Sequence, residues 1–246
     1  MNFELSEEQK MIQQSVERFV QENYDLSDRI KISSENPGYS KDYWNSMAEL
    51  GWLGLAFDEE DGGFGGNQID TLVLMEQFGK GLVLEPFLAN IVLAGGAIKR
   101  GASKALKESI IPKLIEGNLQ LTLAYAEEQS RFDIEDVATA AREDAGNFII
   151  NGKKSMVLNA ESADKVVVVT RTSGSQVDIN GISLFLVDLG SEGIERDNFP
   201  TVDGLRASEI TFKDVKVSAE NLIGEKDKGF SILQEVVNDA ILALSA

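Results

Sequence analysis

Neither cysteine nor histidine occurs in the 246 residues. Without cysteine there is no disulfide framework and no thiolate metal site, and a reducing compartment is the simple reading. Without histidine, Ser-His and Cys-His catalysis and the usual zinc sites are excluded. A general base within this chain must be Asp, Glu, Lys or Tyr. Positive charge is also scarce. Against 41 Asp and Glu stand 23 Lys and Arg, for a net charge of −18. Nucleic acid and anionic membrane surfaces both demand a basic footprint, so neither is expected as a partner. No run approaches the ~18 apolar residues of a membrane span. The opening MNFELSEEQK is acidic and lacks a long apolar stretch, so no signal peptide is read there. The expectation is a soluble, cytoplasmic protein with no metal site.

Apolar residues make up 43% of the chain, enough for a packed core. Residues 1–118 read as helices. Ser6 with Gln9 forms a capping-box signature, followed by Ile12, Val16, Phe19 and Val20 at helical spacing. Ile30–Ser40 reads as a loop, and Lys213-Asp214 as a turn. Asn67 caps a helix with Ile69, Leu72, Val73 and Phe78 on one face. Pro86 opens another helix running toward Gly95. From residue 119 the period changes from helical to alternating, with many short strands to residue 226. The helical period returns at 227–246, where Leu233, Val236, Val237, Ala240, Ile241 and Leu244 form a stripe that needs a partner face. This order predicts an α+β chain: a helical domain, an antiparallel β-barrel or sandwich, and the start of a further helical unit.

Five motifs in order narrow the reading. They are FELSEEQKMIQQSVERF, WNSMAELGWLGLAFDEEDGGFGG, EQFGKGLVLEP, FIINGKKSMVLNAESAD and GLRASEITFKDVKVSAENLIGE. Together they resemble the acyl-CoA dehydrogenase family, the last one its LRxSxxxxVxFxDVxVPxxNxxG signature. The resemblance implies an FAD flavoprotein that removes the α-proton of an acyl-CoA with a glutamate and passes the β-hydrogen to the flavin as hydride. It implies a tetrameric assembly and an electron-transfer partner. The family's catalytic glutamate belongs to a C-terminal bundle past Ala246, so no catalytic residue is assigned here.

The family's flavin contacts carry over residue by residue. The stretch LTEPxAGSD aligns with Tyr125–Asp133. There Glu127 and Asp133 agree, Ala126 replaces the threonine, and Phe132 replaces the serine. Backbone groups near Tyr125 and Ala126 remain available to a flavin. The stretch G-x-K-x-W-I-T-N-G aligns with Gly152–Ala160. There Met156 stands for the stacking tryptophan and Leu158 for the threonine near flavin N5. As plain side chains, Met156 and Leu158 would fill apolar core. Arg131 and Arg206 are candidates for CoA phosphates, against an ordinary surface role. Glu127-Glu128 reads as a solvated face. The run LAYAEEQSRFD is similar to the small subunits of heteromeric dicarboxylic or steroid-type enzymes. The resemblance therefore leaves two readings: an acyl-CoA dehydrogenase, or a degenerate-site subunit supporting a catalytic partner in a homo- or hetero-oligomer.

Overall fold

A computed structural model describes residues 4–246; Phe3, the first residue of the opening motif, lies outside them. Helix α1 (Glu7–Asn23) starts at the expected capping box. Gln9 N donates to Ser6 Oγ at 3.1 Å and Ser6 N to Gln9 Oε1 at 3.0 Å. The stretch read as a loop is helical in its first part. Helix α2 (Leu26–Ser34) is capped by Asp25, whose Oδ1 accepts from Ser27 N at 2.7 Å and Asp28 N at 3.0 Å. None of its nine residues is buried, so it has no apolar stripe for periodicity to reveal.

Helix α3 (Lys41–Glu49) buries Trp44 and Met47. Helix α4 (Gln68–Gly81) is capped by Asn67 in a second reciprocal box with Asp70. It buries Val73, Leu74 and Phe78, whereas Ile69, expected on the same face, is exposed. The helix opened by Pro86 does not stop at Gly95. π-helical turns over Leu88–Gly95 run directly into α5 (Gly96–Gly101). Helix α6 (Lys104–Ile115) is one element through Pro112.

The strands are β1 (Leu121–Ala124), β2 (Ala140–Asp144), β3 (Asn147–Leu158), β4 (Lys165–Arg171), β5 (Ile182–Asp188), β6 (Ile194–Pro200), β7 (Arg206–Val217) and β8 (Leu222–Ile223). They form one sheet in the order β6-β7-β3-β2-β4-β5-β8, with β1 beside β4. Pairing is antiparallel except where β1 and β2 meet β4. No pairing among the described residues joins β6 to β8, so of the expected barrel or sandwich the sheet is not a closed barrel. Lys213-Asp214 is likewise no turn. Asp214 takes a left-handed φ of 51° inside β7, and its side chain and backbone exchange hydrogen bonds with Asn151 at 3.0 and 2.9 Å. The irregularity between Ile150 and Gly152 absorbs the extra residue and keeps the strand whole.

One apolar core runs from the helices onto one face of the sheet, through Leu121, Leu123, Val167, Val169, Leu184 and Leu186. A second cluster fills the opposite face. Helix α7 (Phe230–Leu244) buries Leu233, Val236, Ala240 and Ala243, the first three part of the stripe expected to need a partner. That stripe is largely covered within the chain, leaving its Ile241 and Leu244 exposed beside Leu242. No helix among the described residues is long and apolar enough to cross a membrane.

Candidate functional site

The two stretches matched to flavin contacts lie side by side. The segment after β1 is laced to β3 by Ser155 N, which donates to the Ala126 carbonyl at 2.9 Å. Beneath this seam lies a buried ion pair. Lys154 Nζ sits 2.6 Å from Glu127 Oε1 and 3.2 Å from the Tyr125 carbonyl. Both charged side chains are out of solvent, so the reading of Glu127 as a solvated face is corrected; Glu128 alone faces water. Burial pushes Lys154 down to about 8, opposed by the Glu127 charge. Burial pushes Glu127 up, but Lys154 and the hydrogen bonds from Lys154, Gln129 and Thr139 N outweigh it, and its pKa is lowered. Ala138 N also donates to this carboxylate, at 2.9 Å. The pair fixes the geometry of the seam. It is not free to accept a substrate proton.

The four family contact positions stand differently. Phe132 is 97% exposed and Met156 is 52% exposed, which overturns the core-filling reading of Met156. Met156 has a left-handed φ of 50° at a bulge in β3 that throws its side chain outward. Leu158 is half-buried and Ala126 is partly covered. Burial pushes the Tyr125 hydroxyl up. Arg131 is exposed, with a left-handed φ of 49°.

Arg206 faces inward, between the two layers. Its Nη2 donates to the carbonyls of Ser33 at 3.1 Å and Glu35 at 3.4 Å. Gly38, at φ 90°, makes this possible, because a Cβ there would lie 2.8 Å from Arg206 Nε. Arg29 of α2 reaches the other way, donating to the Asp203 carbonyl at 2.6 Å and the Leu82 carbonyl at 2.8 Å.

These arginines flank a cleft of about 340 Å³ that also reaches Tyr39, Glu85, Leu158 and Asn159. Sequence patterning gave no sign of Glu85. Its only local signal is a carboxylate inside the apolar run Leu82–Leu88. It is 6% exposed, and burial raises its pKa to about 7 against hydrogen bonds that include Ser40 N. Its folded value lies above its unfolded value. Stability is therefore full below the unfolded pKa of about 4.5 and is lost as pH rises to about 7. The loss is roughly 3 kcal/mol by the linkage relation. Glu85→Gln should flatten the denaturant-derived stability between pH 4.5 and 7.5 (roughly the titration window). A variant that keeps the wild-type slope would assign that dependence to other groups.

The domain pair identifies the fold. Residues 6–118 match the family profile described as acyl-CoA dehydrogenase, N-terminal domain, and residues 122–215 match the acyl-CoA dehydrogenase middle domain.

The chain belongs to the acyl-CoA dehydrogenase family.

It is 30% identical to mitochondrial isovaleryl-CoA dehydrogenase of Pongo abelii over 93% of this chain and 56% of that protein. The chain thus spans little more than half of that relative. The butyryl-CoA dehydrogenase structure from Megasphaera elsdenii superposes with a TM-score of 0.87 at 24% identity, over 100% of this chain and 66% of that one. The ChsE4–ChsE5 complex from Mycobacterium tuberculosis superposes with a TM-score of 0.82 at 22% identity, over 97% and 61%. At these identities both structures speak for the fold.

Acyl-CoA dehydrogenases are flavoproteins, so the residues present must be tested against FAD. Ala126, Phe132 and Leu158 have no side-chain donor. The Ala126 carbonyl is taken by Ser155, and the Lys154 ammonium by Glu127 and Tyr125. At the four family contact positions the side chains are hydrocarbon or thioether, without a donor. This donor set does not fit a flavin held by side-chain hydrogen bonds, and no chemical step is derived through one.

Proposed function

We propose that this chain serves an acyl-CoA dehydrogenase assembly as a degenerate-site subunit, which supports a partner subunit that holds the FAD and carries out α,β-dehydrogenation of the acyl-CoA. The observation behind this reading is the outward face of the seam. Phe132 and Met156 present exposed hydrocarbon where the family places a hydroxyl and a stacking ring, and Ala126 and Leu158 have also lost their hydroxyls. An exposed apolar edge of this kind suits contact with another protein surface. The ChsE4–ChsE5 structure is of two unlike chains by its name, which agrees with a hetero-oligomeric arrangement. The fold is shared with enzymes named for CoA thioesters, so an acyl-CoA is the ligand class proposed for the assembly.

The second reading, a flavoenzyme in its own right, is favoured by the intact Glu127–Lys154 seam that orders the flavin-side backbone. Flavin content separates the two. The purified chain is expected to be colourless, and FAD titration followed by flavin fluorescence should show weak binding or none. One tightly held FAD per chain would make the flavoenzyme reading the right one.

A further inference from the structure

We propose that the solvent face of α2, together with the end of α4 and the turn between β6 and β7, binds a second copy of this chain in a two-fold contact. Four large apolar side chains stand there, each more than half exposed: Leu26 and Ile30 of α2, Leu82, and Val202 of the turn.

The hydrogen bonds of Arg29 gather them into one patch. Its Nε donates to the Leu82 carbonyl at 2.8 Å. Its Nη2 donates at 2.6 Å to the carbonyl of Asp203, the residue after Val202. The turn is closed by Thr201 N on the Leu205 carbonyl at 2.9 Å and by Gly204 N on the Thr201 carbonyl at 3.0 Å. It lies on α2 itself, because a Cβ at Gly204 would come 3.5 Å from both Arg29 Nη1 and Ser33 Cβ. At 3.6 residues per turn, Leu26 is about 20° and Ile30 about 60° around the helix from Ser33, on its solvent side. Next to Ile30 come Ser34 and Ser27, small enough for a second helix to pack close. Leu82 closes the patch from a left-handed φ of 51° at the end of α4. A nine-residue helix scarcely holds itself in water. Covering Leu26 and Ile30 would stabilise it while removing apolar surface from solvent.

Charge selects the occupant. On or next to these segments stand five acids, Asp25, Asp28, Glu35, Glu76 and Asp203, and four bases, Arg29, Lys31, Lys80 and Arg206. In the rest of the chain acids outnumber bases by almost two to one. Two copies of a chain with net charge −18 repel each other over most of their surface, but this patch is close to neutral. A strongly basic partner has more to gain elsewhere on the molecule. A two-fold axis lets the same four side chains serve both sides, with α2 against α2. One short helix and two loop tips make a small interface, which places the contact in the weak class. None of the seam residues takes part, so the inference stands apart from both readings of the seam.

The test is sedimentation velocity of the purified chain at about 5 to 500 μM, in about 0.3 M sodium chloride to screen the net charge. A monomer–dimer equilibrium should appear, with a dissociation constant on the order of 10–100 μM. Ile30→Asp and Val202→Asp each enter a two-fold contact twice, and each should weaken the dimer at least about tenfold. Both positions are exposed, and circular dichroism checks the fold. The same change at exposed apolar positions outside the patch, Val177→Asp and Leu244→Asp, should leave the constant within about twofold. In the wild type, hydrogen exchange of α2 amides should slow as the concentration rises, with α4 amides unchanged. A chain that stays monomeric throughout, as it would if an unlike subunit were the occupant, overturns the proposal. So does a dimer that survives both patch variants, or one lost to Leu244→Asp, which would place the contact at the end of α7. Should a patch variant fail to fold, the concentration-dependent exchange of the wild type decides.

Discussion

Lys154→Met is expected to destabilise the chain by about 3–5 kcal/mol at pH 7, the cost of leaving a buried carboxylate without its counter-charge. Glu127 would keep the N–H groups of Ala138, Thr139 and Gln129 but lose the ammonium 2.6 Å away. Glu127→Gln alone should cost a similar amount by stranding the ammonium. The double variant should cost clearly less than the two singles combined, because it removes both charges. Urea denaturation of the four proteins measures this cycle. A Lys154→Met loss below about 1 kcal/mol would show that the pair is weakly coupled, contrary to its burial.

The second large effect concerns flavin. The combined variant Ala126→Thr, Phe132→Ser, Met156→Trp and Leu158→Thr restores the family's contact groups. Each regained hydrogen bond contributes roughly 0.5–1.5 kcal/mol, and a stacking ring contributes a similar amount. FAD affinity should rise on the order of a hundredfold, read as quenching of flavin fluorescence on titration. The seam beneath needs no change, because Ser155 and Lys154 already hold its backbone. An increase smaller than about fivefold would mean that backbone or more distant groups, and not these side chains, control the affinity.

What the sequence disclosed and what it withheld follow a physical division. Local devices were legible. The capping boxes at Ser6 and Asn67 each need only residues within one turn. The five ordered motifs carried the family. Helix α2 escaped because none of its residues is buried, so its only signal was the Asp25 cap. Lys213-Asp214 resembled a turn because its true partner, Asn151, is 63 residues away. Met156 read as core because nothing local announces a bulge that turns a strand residue outward. Of the two carboxylates at the site, Glu127 was misjudged and Glu85 passed over for the same reason. Glu127 acquires its meaning from Lys154, 27 positions later, and Glu85 from the tertiary burial that no periodicity records.

Helix α2 carries a further consequence. It contributes no fully buried side chain; only Ile32 leans on the core, and its other tethers across the layers are polar: Arg29 to the carbonyls of Leu82 and Asp203, and Arg206 to those of Ser33 and Glu35. An element held by a few directed bonds and little buried surface opens by itself well before the core does. Amide protons of α2 should therefore exchange with solvent far sooner than those of α4, whose Val73, Leu74 and Phe78 are locked inside. Each such excursion frees Arg29 and Arg206 together and unroofs one side of the cleft they flank. The polar clasp thus lets this edge of the molecule open on a clock of its own, set by four directed bonds rather than by the packed core.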